Sequence, residues 1–243
     1  MTPSPKGRAY RSAKLQFILH GGFHMKLPLS DRLLACAKFV NKGDRVADIG
    51  CDHGYLSIHL LANGIASFCI ASDVNEGPLQ SAMRNARKFG TANRMEFCLS
   101  DGVQGIPRDF DCMVCAGMGA DTMIHILASA PWLKDPRYRL ILQCQSKTPA
   151  LRRYLSENGW RIRRESVLRD GKFLYTVMEV RYRPEEDGLT PTQWYFPPAL
   201  LEDPSPDLPA YYKWVVDGLK IATVHQDDTQ KKQVLAELEL LKW

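Results

Sequence analysis

Four short clusters of small and acidic residues stand where apolar runs end: Asp48-Ile-Gly50-Cys-Asp52-His53-Gly54, Ser72-Asp73-Val74, Ser100-Asp101-Gly102 and Ala116-Gly117-Met118-Gly119. Residues of these types can hold a nucleotide-like ligand. Glycine lets a bare backbone approach a ligand, and the amides that open a following helix attract carboxylate or phosphate groups. Asp73, 23 residues after Gly50, can accept two hydrogen bonds from a ribose diol, close to the spacing such sites use. Asp101 can accept the exocyclic amino protons of an adenine, with Gly102 admitting the flat ring. The glycines beside Met118 clear space between ligand and acceptor. Each cluster also has a plain structural role, as a helix cap, an Asp-Gly turn or a tight strand-to-helix connection.

The first cluster lacks the G-x-G-x-x-G spacing of dinucleotide sites, having only Gly50 and Gly54, and it carries an acid, Asp48, before the turn. That favours S-adenosylmethionine over a dinucleotide. The elements around the clusters agree. Apolar runs near 45–50, 68–73, 95–99, 111–116 and 138–144 read as strands, alternating with helical patterns near 55–63, 77–89, 119–130 and 148–158. Such alternation predicts an α/β fold with a parallel, doubly wound sheet, whose ligands bind beyond the carboxyl ends of the strands. Two further strand-like runs, 160–168 and 173–183, joined by Arg169-Asp-Gly-Lys172, predict a closing hairpin. The expectation is a Rossmann-like class I methyltransferase fold: a mostly parallel seven-stranded sheet closing with an antiparallel hairpin, plus a small C-terminal helical element.

The domain boundaries follow composition. Residues 1–25 show no sustained period and are expected to be a disordered extension, with structure beginning where Ser30 caps a helix bearing Leu33, Leu34 and Ala37. Residues 26–183 form the catalytic domain, 184–207 a proline-rich acidic linker, and 208–243 a coiled-coil-like helical element built on Leu208, Tyr212, Val215, Leu219 and Ala222, then Val234, Leu238 and Leu241.

With 243 residues and 45% hydrophobic content the chain can bury one full core. It has no apolar run of about 18 residues that could span a membrane, so a cytoplasmic location is expected. Seven cysteines, mostly within apolar runs, read as core residues. Cys112 and Cys115 would point to opposite faces of a strand, so no metal site is expected. The net charge of +5 is unevenly spread: +4 over residues 1–25, −1 over 26–130, +8 over 131–183 and −6 over 184–243. A cationic block beside a cofactor site suits an anionic polymer such as RNA. Its main contributors are Arg137, Arg139, Lys147, Arg152, Arg153, Arg161, Arg163 and Arg164.

In order along the chain, Leu29-Ser-x-Arg-Leu33, Ala47-Asp-Ile-Gly-x-Asp-His-x-Tyr-Leu56, Gly77-Pro78, Asp101-Gly102, Ala116-Gly-Met-Gly119, Leu140-Ile-Leu-Gln143 and Gly159-Trp160 resemble the bacterial tRNA (adenine-22-N1)-methyltransferase family, often called TrmK-like. Departures are Asp73 in place of the usual glutamate, Ala120 in place of a second glycine, and Cys144-Gln145 after Gln143. The resemblance implies methyl transfer from S-adenosylmethionine to N1 of a tRNA adenine. It makes Asp52 the catalytic residue, acting on the charge that methylation creates. It makes Asp48, Gly50, His53, Asp73, Val74, Asp101, Gly102, Gly117 and Met118 the cofactor-binding set. The partner is tRNA, with no membrane association, and a monomer is favoured. A small-molecule methyltransferase on the same fold, and a catalytically silent tRNA-binding protein, are the alternatives.

Overall fold

The computed structural model describes residues 16–18, 24–225 and 228–241. Within the N-terminal stretch, Gln16–Ile18 (β1) and His24–Lys26 (β2) pair antiparallel. The remainder of the expected 1–25 extension lies outside the described residues. Ser30 caps Asp31–Ala37 (α1) by accepting from the Leu33 amide at 3.4 Å.

The alternation that follows is Arg45–Ile49 (β3), Tyr55–Ala62 (α2), Phe68–Asp73 (β4), Glu76–Lys88 (α3), Met95–Leu99 (β5), Cys112–Met118 (β6), Ala120–Ala128 (α4), Arg139–Cys144 (β7) and Thr148–Glu157 (α5). Trp160–Asp170 (β8) and Phe173–Tyr182 (β9) close it, turning through Gly171 at φ +60°. The sheet order is β5-β4-β3-β6-β7-β9-β8. The pairs among β3 to β7 are parallel, and β9 lies antiparallel between β7 and β8. This is the parallel sheet with a closing hairpin that the sequence predicts.

Both faces of the sheet are covered, so its central strands are apolar on both sides. Cys112 and Val114 belong to one core cluster with Cys36, Leu56, Ile58 and Ala82, while Met113 and Cys115 belong to the other with Met123, Ile126, Leu151 and Trp160. The two cysteines of the C-x-x-C pair therefore do face opposite ways. Burial pushes both thiols up to about 12, which leaves them protonated hydrophobes.

Residues 184–207, read from composition as a linker, hold two short helices, Pro191–Tyr195 (α6) and Pro198–Leu201 (α7). Phe196 and Leu200 bury themselves against Val167 of β8 and against Leu208, Tyr211, Val215 and Leu219 of Leu208–His225 (α8), a cluster completed by Val234 and Leu238 of Thr229–Leu240 (α9). The helical pair thus packs both on itself and on the hairpin. Among the described residues, no helix is long and apolar enough to cross a membrane.

Two arginines of the cationic block are buried in ion pairs, while Arg137, Lys147, Arg153, Arg163 and Arg164 are paired yet remain exposed. Arg152 is fully buried and paired with Glu165 at 2.6 Å, and Arg139 is 3% exposed between Asp44 and Glu179. Arg161 donates to the Glu186, Ser156 and Trp160 carbonyls. Arg163 pairs with Glu186, Arg164 with Glu179, Arg153 with Glu157, Lys147 with Asp121 and Arg137 with Asp135. Acids distant in sequence, Asp44, Asp121 and Glu186 among them, fold back onto the block, and arginine's forked donors suit such carboxylate and carbonyl contacts.

Candidate active site

A cavity of about 450 Å³ opens at the carboxyl ends of β3, β4 and β6. All ten site residues expected from sequence line it: Asp48, Gly50, Asp52, His53, Asp73, Val74, Asp101, Gly102, Gly117 and Met118. The β3–α2 turn that carries three of them, Gly50, Asp52 and His53, is left-handed at three positions, Gly50 (φ +72°), Asp52 (φ +49°) and Gly54 (φ +71°). A Cβ on Gly50 would stand 2.3 Å from Met118 Cε. The glycine therefore lets β6 and the turn share one wall.

The amides of the turn itself are spent within the protein. Gly50 and Cys51 N–H both donate to the Ser72 carbonyl, at 2.9 and 2.8 Å, which locks the turn to the end of β4. Asp52 N–H donates to Asp73 Oδ2 at 3.1 Å, while Asp73 Oδ1 accepts from Asn75 N–H at 2.9 Å. Asp73 thus braces the turn as well as lining the cavity. Amides that could meet a ligand begin with α2, whose N-cap Gly54 supplies no side-chain cap.

Asp48 is buried beneath this wall, accepting from Ser57 Oγ at 2.7 Å. Burial pushes its carboxyl up to about 6, against the hydrogen bonds from Ser57 and helped by the nearby Asp73. For an acid raised in this way the folded chain holds more protons than the unfolded one between pH about 4 and about 6. Stability therefore falls as pH rises through that window and is level above it. We expect Asp48→Asn to gain on the wild type in thermal melts as pH rises from about 4 to about 7. A constant difference across that range would show that Asp48 does not titrate there.

Asp52 is different, with its side chain 70% exposed at the cavity wall. His53 Nε2 lies 3.6 Å from Asp52 Oδ1, too far for a hydrogen bond. The imidazole tilts towards the Tyr55 ring at 5.7 Å, and the His53 carbonyl accepts from Asn85 Nδ2 at 3.0 Å. Beyond β4, the exposed Val74 offers an apolar surface beside Asp101 and Gly102. At the end of β6 the register with β7 slips between Ala116 and Met118. Gly117 occupies that bulge at φ +80°, its N–H held by Gln143 Oε1 at 3.0 Å. Gly119 serves packing, since a Cβ there would meet Ser146 Oγ at 2.9 Å.

Sequence reasoning missed Arg32, Thr122, Gln143 and Gln145, which also line the cavity. Arg32 matters most, as it is the only Lys or Arg among the lining residues. It is held by Asp170 at 2.6 Å and lies 5.5 Å from the Tyr175 ring centroid, so it links α1 to the hairpin. Arg32 and Gln143 both stand within quoted motifs, and position within those motifs was the available signal. Among the described residues no group of three or more His, Cys, Asp or Glu could hold a metal ion.

A methyltransferase domain family model matches residues 29–178. The chain is 32% identical over 154 residues to the tRNA (adenine(22)-N(1))-methyltransferase of Bacillus subtilis, a match covering 63% of this chain and 65% of that protein's length. It is 34% identical over 159 residues to a putative tRNA methyltransferase of Mycoplasma pneumoniae, covering 63% and 71%. The crystal structure of a putative tRNA (m1A22) methyltransferase of Streptococcus pneumoniae in complex with S-adenosyl-L-methionine superposes with a TM-score of 0.77 at 29% identity, over 86% of this chain and 99% of the other. The chain belongs to the methyltransferase domain family and is a relative of its tRNA (adenine-22-N1)-methyltransferases.

Proposed function

We propose that this chain transfers a methyl group from S-adenosylmethionine to N1 of an adenine in tRNA, at position 22 as the name of the Bacillus subtilis relative states. The observation that carries this reading is the single cavity that Asp52, Asp73 and Asp101 line together with Arg32. Asp48 lines the same cavity, and of the four carboxylates only Asp48 and Asp73 have the structural hydrogen bonds described above, so a ligand is the reason to gather all four.

The lining fits this cofactor group by group. Asp73 would accept from the ribose hydroxyls, and Asp101 from the adenine amine, with Val74 and Gly102 against the ring. Arg32 would pair with the methionine carboxylate, and the buried Asp48 with the cationic amino group. His53, Gly50, Gly117 and Met118 would shape the remaining wall. When bound, S-adenosylmethionine supplies an electrophilic methyl on a sulfonium. Adenine N1 lies on the Watson–Crick edge, so the base must be unpaired or flipped out to bring its in-plane lone pair to that carbon. Methylation at N1 leaves the ring cationic unless N6 loses a proton. Asp52, exposed on the acceptor side, would stabilise that charge and could take the proton. A cytoplasmic location is part of the same proposal, since that is where a tRNA substrate would be met.

Asp73→Ala is expected to weaken cofactor binding about 100-fold or more, since it removes charge-assisted acceptors worth about 1.5–3 kcal/mol each and frees the Asp52 turn. Calorimetric titration with S-adenosylhomocysteine checks this, and an unchanged Kd would remove Asp73 from the site. The reaction itself is tested by incubating the protein with methyl-labelled S-adenosylmethionine and total bacterial tRNA across a salt series. The reading expects label in tRNA that falls steeply with salt. Label appearing only in a small-molecule fraction would contradict it.

A further inference from the structure

A second cavity, of about 490 Å³, lies between the β7–α5 loop, the β8–β9 hairpin and α8. It adjoins the active site, because Gln145 lines both. We propose that this cavity is a subsite for a second unpaired nucleotide of the RNA acceptor, next to the target adenine in the bound strand. The inference rests on the RNA reading above.

The chemistry of the walls favours a base with its phosphate. Trp214, 60% exposed, and Phe173, 55% exposed, both line the cavity. Tyr211 supports Trp214 with ring centroids 5.7 Å apart at 34°, and Tyr175 supports Phe173 at 6.2 Å. Aromatic platforms of this kind stack on unpaired bases. Lys147, Lys172 and Lys231 also line the cavity, and its lining contains no Asp or Glu. Lys147 and Lys231 are balanced by Asp121 and Asp228, which stand outside the lining. Lys172 sits over Phe173.

The same lining holds a buried hydroxyl. Thr176, only 1% exposed, lines the cavity with Oγ1 buried and without a hydrogen-bond partner among the described residues. An orphaned buried hydroxyl is uncommon in folded chains.

Gly218 of α8 supplies a clean test. It lines the cavity, and a Cβ built there meets nothing within 4 Å. Gly218→Leu would fill the subsite from a helix position that favours leucine over glycine, so the variant should fold. Using full-length protein and bacterial tRNA, we expect Gly218→Leu to raise the KM for tRNA about tenfold or more. The Kd for S-adenosylhomocysteine should stay within twofold. Trp214→Ala, which truncates an exposed ring, should raise the KM for tRNA similarly. If wild type methylates tRNA and both variants keep its KM, the subsite is overturned while the proposed function stands. If wild type methylates no tRNA, the proposed function fails and the subsite fails with it.

Discussion

Asp52→Asn lowers kcat for methyl transfer by about 10²–10⁴-fold, the range of a lost acid–base group, while leaving cofactor affinity within about twofold. The substitution isolates charge from shape. Asp52 is non-glycine at φ +49°, a conformation that aspartate and asparagine tolerate far better than other residues. Asparagine therefore keeps the turn, and the backbone bond from Asp52 N–H to Asp73 Oδ2 survives because it needs no Asp52 side chain. What disappears is the exposed carboxylate proposed to act on the acceptor. Asp52→Ala would confuse the result by adding backbone strain of about 1–3 kcal/mol. Steady-state kinetics with a melting curve for each protein measures the effect. A variant within threefold of wild-type kcat would assign the chemistry to positioning alone.

The second large effect falls on stability. Glu165→Ala costs about 3–5 kcal/mol, because it leaves a buried guanidinium without a counter-charge. Arg152 and Glu165 are both fully buried, joined by bonds of 2.6 and 3.3 Å. The remaining guanidinium donors reach the Trp194 and Tyr195 carbonyls at 2.9 and 3.0 Å and the Tyr211 hydroxyl at 3.2 Å. One side chain on α5 thus ties together β8, α6 and α8. At about 2–4 °C per kcal/mol for a chain of this size, the melting temperature should drop by roughly 6–20 °C. Early proteolysis near α6 should accompany the drop. The paired replacement Arg152→Met with Glu165→Leu should recover most of the loss, since an apolar pair of similar volume avoids desolvating two ions. A single variant that melts with the wild type would show that the pair is dispensable.

Local pattern made the sheet legible. β4 and β5 lie where their apolar runs predict, and β3, β6 and β7 differ by one or two residues at their ends. The Asp-Gly signal at 170–171 marks the observed hairpin turn. The cavity wall was equally readable, because in a doubly wound sheet each strand's end faces the same crevice. Other features depend on contacts between residues far apart in sequence. Arg32 reaches the cavity only because α1 packs beside the hairpin, 138 residues away. The +8 segment reads as a block of unpaired cations, yet Glu186 and Asp207 from the acidic stretch fold back onto Arg163 and Arg169. Composition reports how many charges a segment has, and only tertiary structure reports which are already neutralised. The occupied Gly50 and Cys51 amides are a further case, since their acceptor belongs to a neighbouring strand.

The most direct measurement is nucleoside analysis of bacterial tRNA lacking 1-methyladenosine after incubation with S-adenosylmethionine and either wild-type protein or Asp52→Asn. The account predicts 1-methyladenosine with the wild type and at least 100-fold slower formation with the variant. A different methylated nucleoside, or no methylation of tRNA by a wild-type protein that binds the cofactor, would contradict it.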